Sequence, residues 1–240
     1  MNAPVPSIIA LQWAPLSFAQ QRLWFFSRLE SGSSAYNIGG LLRFDGALDL
    51  DSLRHGLDQV YSRHAALRTV FREQDGLAQQ AVLPADPMPL EIIDLSQGSE
   101  GVEALARDFI EADYDLTRGP LVRCALYRLG ENSHALAVGM HHIISDAWSV
   151  RVMVEEMAEF YRARLQQRQP FMTPQPVQYS EYAVGQREWL NSEAGAQQMA
   201  FWRERLGGEQ PPMSLTPDFP HNAQAARRAA YRTLQVEPAL

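Results

Sequence analysis

The 240-residue chain contains no lysine; all 21 of its basic residues are arginine. That excludes a lysine nucleophile, Schiff-base chemistry and the phosphate-binding P-loop. A single cysteine, Cys124, excludes an intramolecular disulfide and fits a reducing, cytoplasmic compartment. No apolar run approaches the roughly 20 residues that a membrane-spanning helix needs. No basic stretch followed by an apolar core marks a signal peptide. Internal repeats, low-complexity tracts, glycine-rich phosphate loops and clusters with metal-ligand spacing are also missing. With a net charge of −7 the chain does not read as a general nucleic-acid binder.

What is present is a globular composition, 46% hydrophobic, long enough for one large domain or two small lobes. Strand-like and helix-like stretches alternate, which predicts a mixed α/β (α+β) lobe with a largely antiparallel sheet. Ser17 and Gln20 have capping-box spacing at the start of a helix running to about Leu29. A strand, Leu41 to Phe44, precedes a helix from about Asp51, where Leu53, Leu57, Val60, Tyr61 and His64 share one face. Asp75-Gly76 is a strong turn dipeptide between strands at Leu67 to Glu73 and Leu77 to Leu83. A short strand, Leu90 to Leu95, a helix, Glu103 to Ala112, and two strands, Leu121 to Leu129 and His134 to His142, come next. The helix from Trp148 to about Gln166 carries a core stripe. Gln167 to Pro176 reads as a proline-containing linker, with helices beyond it at Tyr179 to Leu190 and Gln197 to Leu206. Gly207 to Pro220 reads as extended, and Arg227 to Val236 as an alternating segment.

The whole chain is organised around Met140-His141-His142-Ile143-Ile144-Ser145-Asp146-Ala147-Trp148-Ser149, at the junction of a strand and a helix. Strand side chains alternate, so His141 and His142 point to opposite faces: one into a packed layer, one towards a cavity. A neutral imidazole suits general-base work near neutral pH. A structural or surface histidine pair and a metal site are competing readings. Zinc motifs on helices place histidines at i and i+4, which this pair does not do. Asp146 either pairs with a cation or caps the following helix.

The word His141-His142-Ile143-Ile144-Ser145-Asp146-Ala147 resembles the HHxxxDG signature of condensation domains of nonribosomal peptide synthetases, within the chloramphenicol-acetyltransferase-like superfamily. Met140, Trp148 and Ser149 extend the likeness, while Ala147 stands where the family usually has glycine. If that position needs a left-handed backbone, alanine costs about 1–2 kcal/mol. Leu16 to Trp24 resembles the family's first motif, and Tyr36-Asn37 is familiar from it. Arg63 to Phe71 resembles the second motif, RHxxLRTxF. Gln178 to Ala183 resembles the fourth, with Glu181-Tyr182 in place of the usual Asp-Phe.

The resemblance implies a two-lobed, V-shaped domain with its active site in a tunnel between acetyltransferase-like lobes. Residues 1–174 would then be the N-terminal lobe carrying HHxxxD, and residues 175–240 connecting helices and the incomplete beginning of the C-terminal lobe. The implied reaction is peptide-bond formation. A donor thioester on one carrier protein is attacked by the amino group of an aminoacyl acceptor on another. His142 would act as base or orienting group, with His141 and Asp146 completing the catalytic word. Arg68, paired with Asp146, and Arg63, Ala147, Trp148 and Ser149 would support it. No metal and no cofactor bound by the domain are implied, because the substrates ride on carrier-protein phosphopantetheine. The implied partners are upstream and downstream peptidyl carrier domains, an adenylation domain and the missing C-terminal lobe, without nucleic acid or membrane. A fragment of this extent is expected to be inactive alone. Alternative readings are a starter domain taking a fatty-acyl donor, an epimerization domain, a stand-alone acyltransferase and a non-catalytic carrier-docking lobe.

Overall fold

The computed structural model describes residues 11–29, 33–98, 101–175, 177–209 and Asp218. Two compact units are present, Met1–Ala196 and Gln197–Leu240. The first holds strands β1 (Ala14–Pro15), β2 (Asn37–Asp45), β3 (Thr69–Gln74), β4 (Leu77–Val82), β5 (Leu90–Asp94), β6 (Val122–Gly130) and β7 (Ser133–His141). Its helices are α1 (Phe18–Leu29), α2 (Leu50–Arg63), α3 (Val102–Glu111), α4 (Ala147–Leu165) and α5 (Tyr179–Leu190). Helix α6 spans Glu193–Leu206. In the second unit, Phe201 and Trp202 meet edge to face, with centroids 5.2 Å apart. The sequence expectations for Ser31-Gly32, Gly207 to Pro220 and Arg227 to Val236 lie almost wholly outside the described residues.

The mixed architecture expected from the alternating pattern is the one found. A four-stranded sheet runs β2-β7-β6-β5, antiparallel except for the parallel β5–β6 pair. A three-stranded antiparallel sheet runs β1-β4-β3. The β3–β4 hairpin turns at Asp75 and Gly76, both with positive φ (52° and 75°), as a tight primed turn requires. Strand β2 starts at Asn37, four residues before the apolar run that betrays it, because Gly39-Gly40 break the side-chain pattern without breaking the pairing with β7.

Strand β7 decides which layer lies on which side. Ala135 and Ala137 face the smaller core, with Val102 and Ala106 of α3. Leu136, Val138 and Met140 face the larger core, with Leu53, Leu57 and Val60 of α2 and Met153, Met157 and Phe160 of α4. The buried α2 residues recur at helical spacing, and Asp49 caps the helix by accepting the Ser52 N–H at 2.7 Å. Helices α2 and α4 approach closely at Gly56, where a Cβ would lie 3.0 Å from the Met157 carbonyl. On the opposite side, Gly139 lets the C-terminal end of α3 and the Tyr114 ring close onto the sheet.

The capping box of α1 is formed as expected. Ser17 N–H donates to Gln20 Oε1 at 2.9 Å, and Gln20 N–H donates to Ser17 Oγ at 3.1 Å. Helix α5, placed by the sequence reading beyond a boundary at residue 174, packs within the first unit. Ala183 is fully buried, Arg187 Nε donates to the Leu16 carbonyl at 2.6 Å, and the Tyr179 and Ser17 hydroxyls lie 3.0 Å apart. The linker is fastened as well: Glu159 accepts from Arg168 at 2.6 and 3.2 Å and from Phe171 N–H at 2.8 Å. Among the described residues, no helix is long and apolar enough to cross a membrane.

Candidate active site

Strand alternation carries through to the two histidines. His141 continues the α3-facing series of β7 and is only 5% exposed. Its ring meets Tyr114 edge-on, with centroids 6.3 Å apart, and leans on Tyr36. Ile143 N–H donates to His141 Nδ1 at 3.1 Å, so the neutral ring carries its proton on Nε2. Burial, and then the neighbouring His142, push its pKa down to about 4. At neutral pH His141 is therefore an uncharged packing residue.

His142, by contrast, is exposed. Its main-chain N–H donates to the Tyr36 carbonyl at 2.7 Å, which fixes the backbone just past the strand. Its Nδ1 lies 2.7 Å from the Ser145 carbonyl oxygen. A carbonyl can only accept, so Nδ1 bears the proton and Nε2 keeps its lone pair. Nε2 has no hydrogen-bond partner among the described residues. The ring lines a cavity of about 480 Å³, bounded by Gln20 of α1, the Ile143–Asp146 loop, His64 and Tyr179 of α5. A residue of fixed tautomer with a free acceptor nitrogen thus lines this cavity.

Asp146 does not pair with Arg68, and the expected ion pair is corrected here. Asp146 is the N-cap of α4: Oδ1 accepts Ser149 N–H at 2.8 Å and the Ser149 hydroxyl at 2.7 Å. Ser149 Oγ in turn accepts Asp146 N–H at 3.2 Å, closing a capping box. The main-chain and then the side-chain bond from Ser149 hold the carboxyl below the usual aspartate range. Being exposed and already satisfied by its own helix, the carboxylate needs no arginine. Ala147 opens α4 and is not among the positive-φ residues, so alanine here carries none of the strain that a left-handed position would impose.

Arg68 serves main-chain carbonyls instead. It donates to Tyr61 O at 3.1 Å, to Ser62 O at 3.1 Å and to Leu83 O. These carbonyls lie at the end of α2 and just after β4, so Arg68 ties the helix to the hairpin. Arg63 has Nε 3.2 Å from Glu156 Oε1 and a further bond to Thr173 O. Trp148 is 72% exposed, with the Arg151 guanidinium 5.9 Å from its ring.

Reading the sequence missed the rest of the wall. His64, placed on the core face of α2, caps that helix and lines the cavity. Gln175 Nε2 donates to His64 Nδ1 at 3.1 Å, so the His64 Nε2–H donates to Glu156 Oε2 at 2.6 Å. Gln178 accepts Ala65 N–H at 3.0 Å and donates to Arg63 O at 3.2 Å. His64 sits inside the second motif word and Gln178 opens the fourth, so the words flagged both regions without saying that they touch. Among the described residues, no group of three His, Cys, Asp or Glu side chains is placed to hold a metal ion.

Comparison with known proteins bears on the family and the fold. One linear gramicidin synthase protein of Brevibacillus parabrevis is 41% identical over 236 residues, 96% of this chain and 3% of that protein. The starter condensation domain of rhizomide synthetase RzmA superposes with a TM-score of 0.76 at 22% identity, covering 84% of this chain and 49% of that one. The first condensation domain of the calcium-dependent antibiotic synthetase, solved with a substrate analogue, gives 0.69 at 26% identity, covering 81% and 47%. The chain therefore spans a small part of the synthetase it matches and about half of these solved chains. With residues 10–238 matched by the condensation-domain family model, the chain belongs to the condensation-domain family of nonribosomal peptide synthetases.

Proposed function

We propose that this chain supplies the histidine-bearing half of a site that joins two carrier-bound substrates by an amide bond. The donor is an aminoacyl, peptidyl or acyl thioester on the phosphopantetheine arm of an upstream carrier protein. The acceptor is the free amino group of an aminoacyl thioester on a downstream carrier. The amine nitrogen attacks the donor carbonyl, the C–N bond forms and the C–S bond breaks. The proton shed by nitrogen leaves through His142 Nε2, and the upstream thiol departs carrying a proton.

The observation that carries this reading is the His142–Ser145 hydrogen bond, which leaves Nε2 a free acceptor on a residue that lines the 480 Å³ cavity. Tethering both substrates supplies the proximity that makes such a reaction fast. His141, Asp146, Arg68 and Arg63 act through structure: the first packs the strand end, the second starts α4, and the arginines fix the motif's surroundings. In this reading the second lobe opens beyond α5, which packs on the first, and the remaining half of the domain closes the tunnel over His142.

The test uses the full synthetase with donor and acceptor carriers loaded, and follows dipeptidyl-carrier formation in a single turnover. Product is expected from the wild type and none above background from residues 1–240 alone. Efficient condensation by the isolated chain would show that His142 needs no second lobe. Unchanged single-turnover rates in His142→Ala would remove the histidine from the reaction.

A further inference from the structure

On the far side of the Ile144–Ser145 turn lies a second cavity, of about 160 Å³. Its lining is mostly apolar: Met140, Leu67 and Met153 are at most 6% exposed, Val152 is half-buried, and the exposed Trp148 also lines it. His64, Ala66, Ile144, Ser145 and Ser149 line both this cavity and the His142 chamber, so the two spaces share one wall. Three of those five side chains are small. In the same wall Ser145 is 7% exposed, and its Oγ is buried without a hydrogen-bond partner. A buried hydroxyl left unpaired is costly, and such an atom is completed by whatever occupies the space beside it. The chemistry assigned to His142 uses neither the cavity nor this hydroxyl.

We propose that this cavity takes the apolar side chain of one of the two carrier-bound residues, and that Ser145 Oγ hydrogen-bonds that residue's own amide or carbonyl group. The proposal rests on the amide-forming reading of His142. Ser145 follows His142 by three residues and its carbonyl holds the imidazole, so a substrate whose reacting atom lies at Nε2 has this wall beside it. A cavity of about 150 Å³ lined by apolar side chains accommodates benzene, which sets the occupant's class as aliphatic to phenyl. A charged side chain has no counter-ion there, because the His64 ring is already taken by Glu156 and Gln175.

The donor and acceptor residues offer the same chemistry, and two arms of one experiment separate them. In the full synthetase, kcat/KM is measured with leucyl- against glycyl-loaded carriers. The donor is varied first with a glycyl acceptor, then the acceptor with a glycyl donor. A leucyl preference of at least about 10–200-fold is expected in one arm, the range an apolar pocket gives for a single methylene. Val152→Trp, which fills the cavity, should collapse that ratio in the same arm, while Val152→Ala should raise phenylalanyl over leucyl. Ser145→Ala should raise the thermal midpoint by removing the unpaired hydroxyl, yet raise KM; a merely structural serine would leave KM alone. A leucyl-to-glycyl ratio that neither Val152 variant moves, in either arm, overturns the proposal. His142→Ala with glycyl groups on both carriers reports on the amide-forming reading separately, since its failure there is a loss of the His142 effect and not of selectivity.

Discussion

The Nδ1–H of His142 and the carbonyl oxygen of Ser145, with nitrogen and oxygen 2.7 Å apart, form a short loop-internal hydrogen bond that selects the imidazole tautomer. The acceptor belongs to the residue just before the α4 N-cap, so the capping box at Asp146 and the histidine proton are parts of one local structure.

The first expectation concerns activity. In the full synthetase, His142→Ala should lower turnover by about 10²–10⁴-fold, the usual worth of a positioned acid–base group. Because the ring is exposed, the thermal midpoint should hardly change. A single-turnover rate, taken where chemistry is limiting, checks this, and a wild-type rate in the variant would remove the imidazole from the reaction.

Asp146 gives a stability expectation. Asp146→Ala removes an N-cap and should cost about 0.5–2 kcal/mol, while Asp146→Asn should restore most of the loss. The folded carboxyl titrates below its ordinary value, so its contribution is complete above that value and fades as pH falls through the folded one. A double-mutant cycle with Arg68→Ala should be additive within about 0.3–0.5 kcal/mol. Coupling well above that would revive a direct Asp146–Arg68 interaction.

His141 sets an acid-side slope. Its ordinary value is 6.5, and in the folded chain burial holds it at about 4. The unfolded chain therefore takes up this proton first as pH falls. The stabilisation is complete above about pH 6.5, shrinks between 6.5 and about 4, and is gone below that. Urea unfolding at several pH values should show this as a loss of up to about 1.4 kcal/mol per pH unit across the window. His141→Gln should flatten that segment, and an unchanged slope would mean that the ring does not titrate as described.

Two glycines on adjacent strands, Gly139 of β7 and Gly40 of β2, should behave oppositely. A Cβ at Gly139 would lie 2.9 Å from the Tyr114 hydroxyl and 3.2 Å from Ile110 Cα, whereas one at Gly40 meets nothing within 4 Å. Gly139→Ala should cost about 1–3 kcal/mol, the range for overpacking. Gly40→Ala should be near neutral or slightly stabilising, through its effect on the unfolded chain. Equal denaturation midpoints for the two variants would show that α3 and Tyr114 yield freely.

Features that depend on near neighbours along the chain are legible in the order of the residues. The Asp75-Gly76 turn, the Ser17–Gln20 box, the extent of α5 and the opposite faces of His141 and His142 all follow from spacings of a few residues. Long-range partners are set by packing and are not legible there. His64 meets Glu156 across 92 positions, and Arg63 meets Thr173 across 110. Asp146 and Arg68 show why such partners escape pattern reading. A carboxylate and a guanidinium in neighbouring motifs suggest an ion pair. Each is instead satisfied closer to hand, Asp146 by the N–H of its own helix and Arg68 by carbonyls at the end of α2 and after β4. Backbone donors and acceptors at element ends must be paired wherever packing leaves them, and where packing leaves them is fixed by the fold.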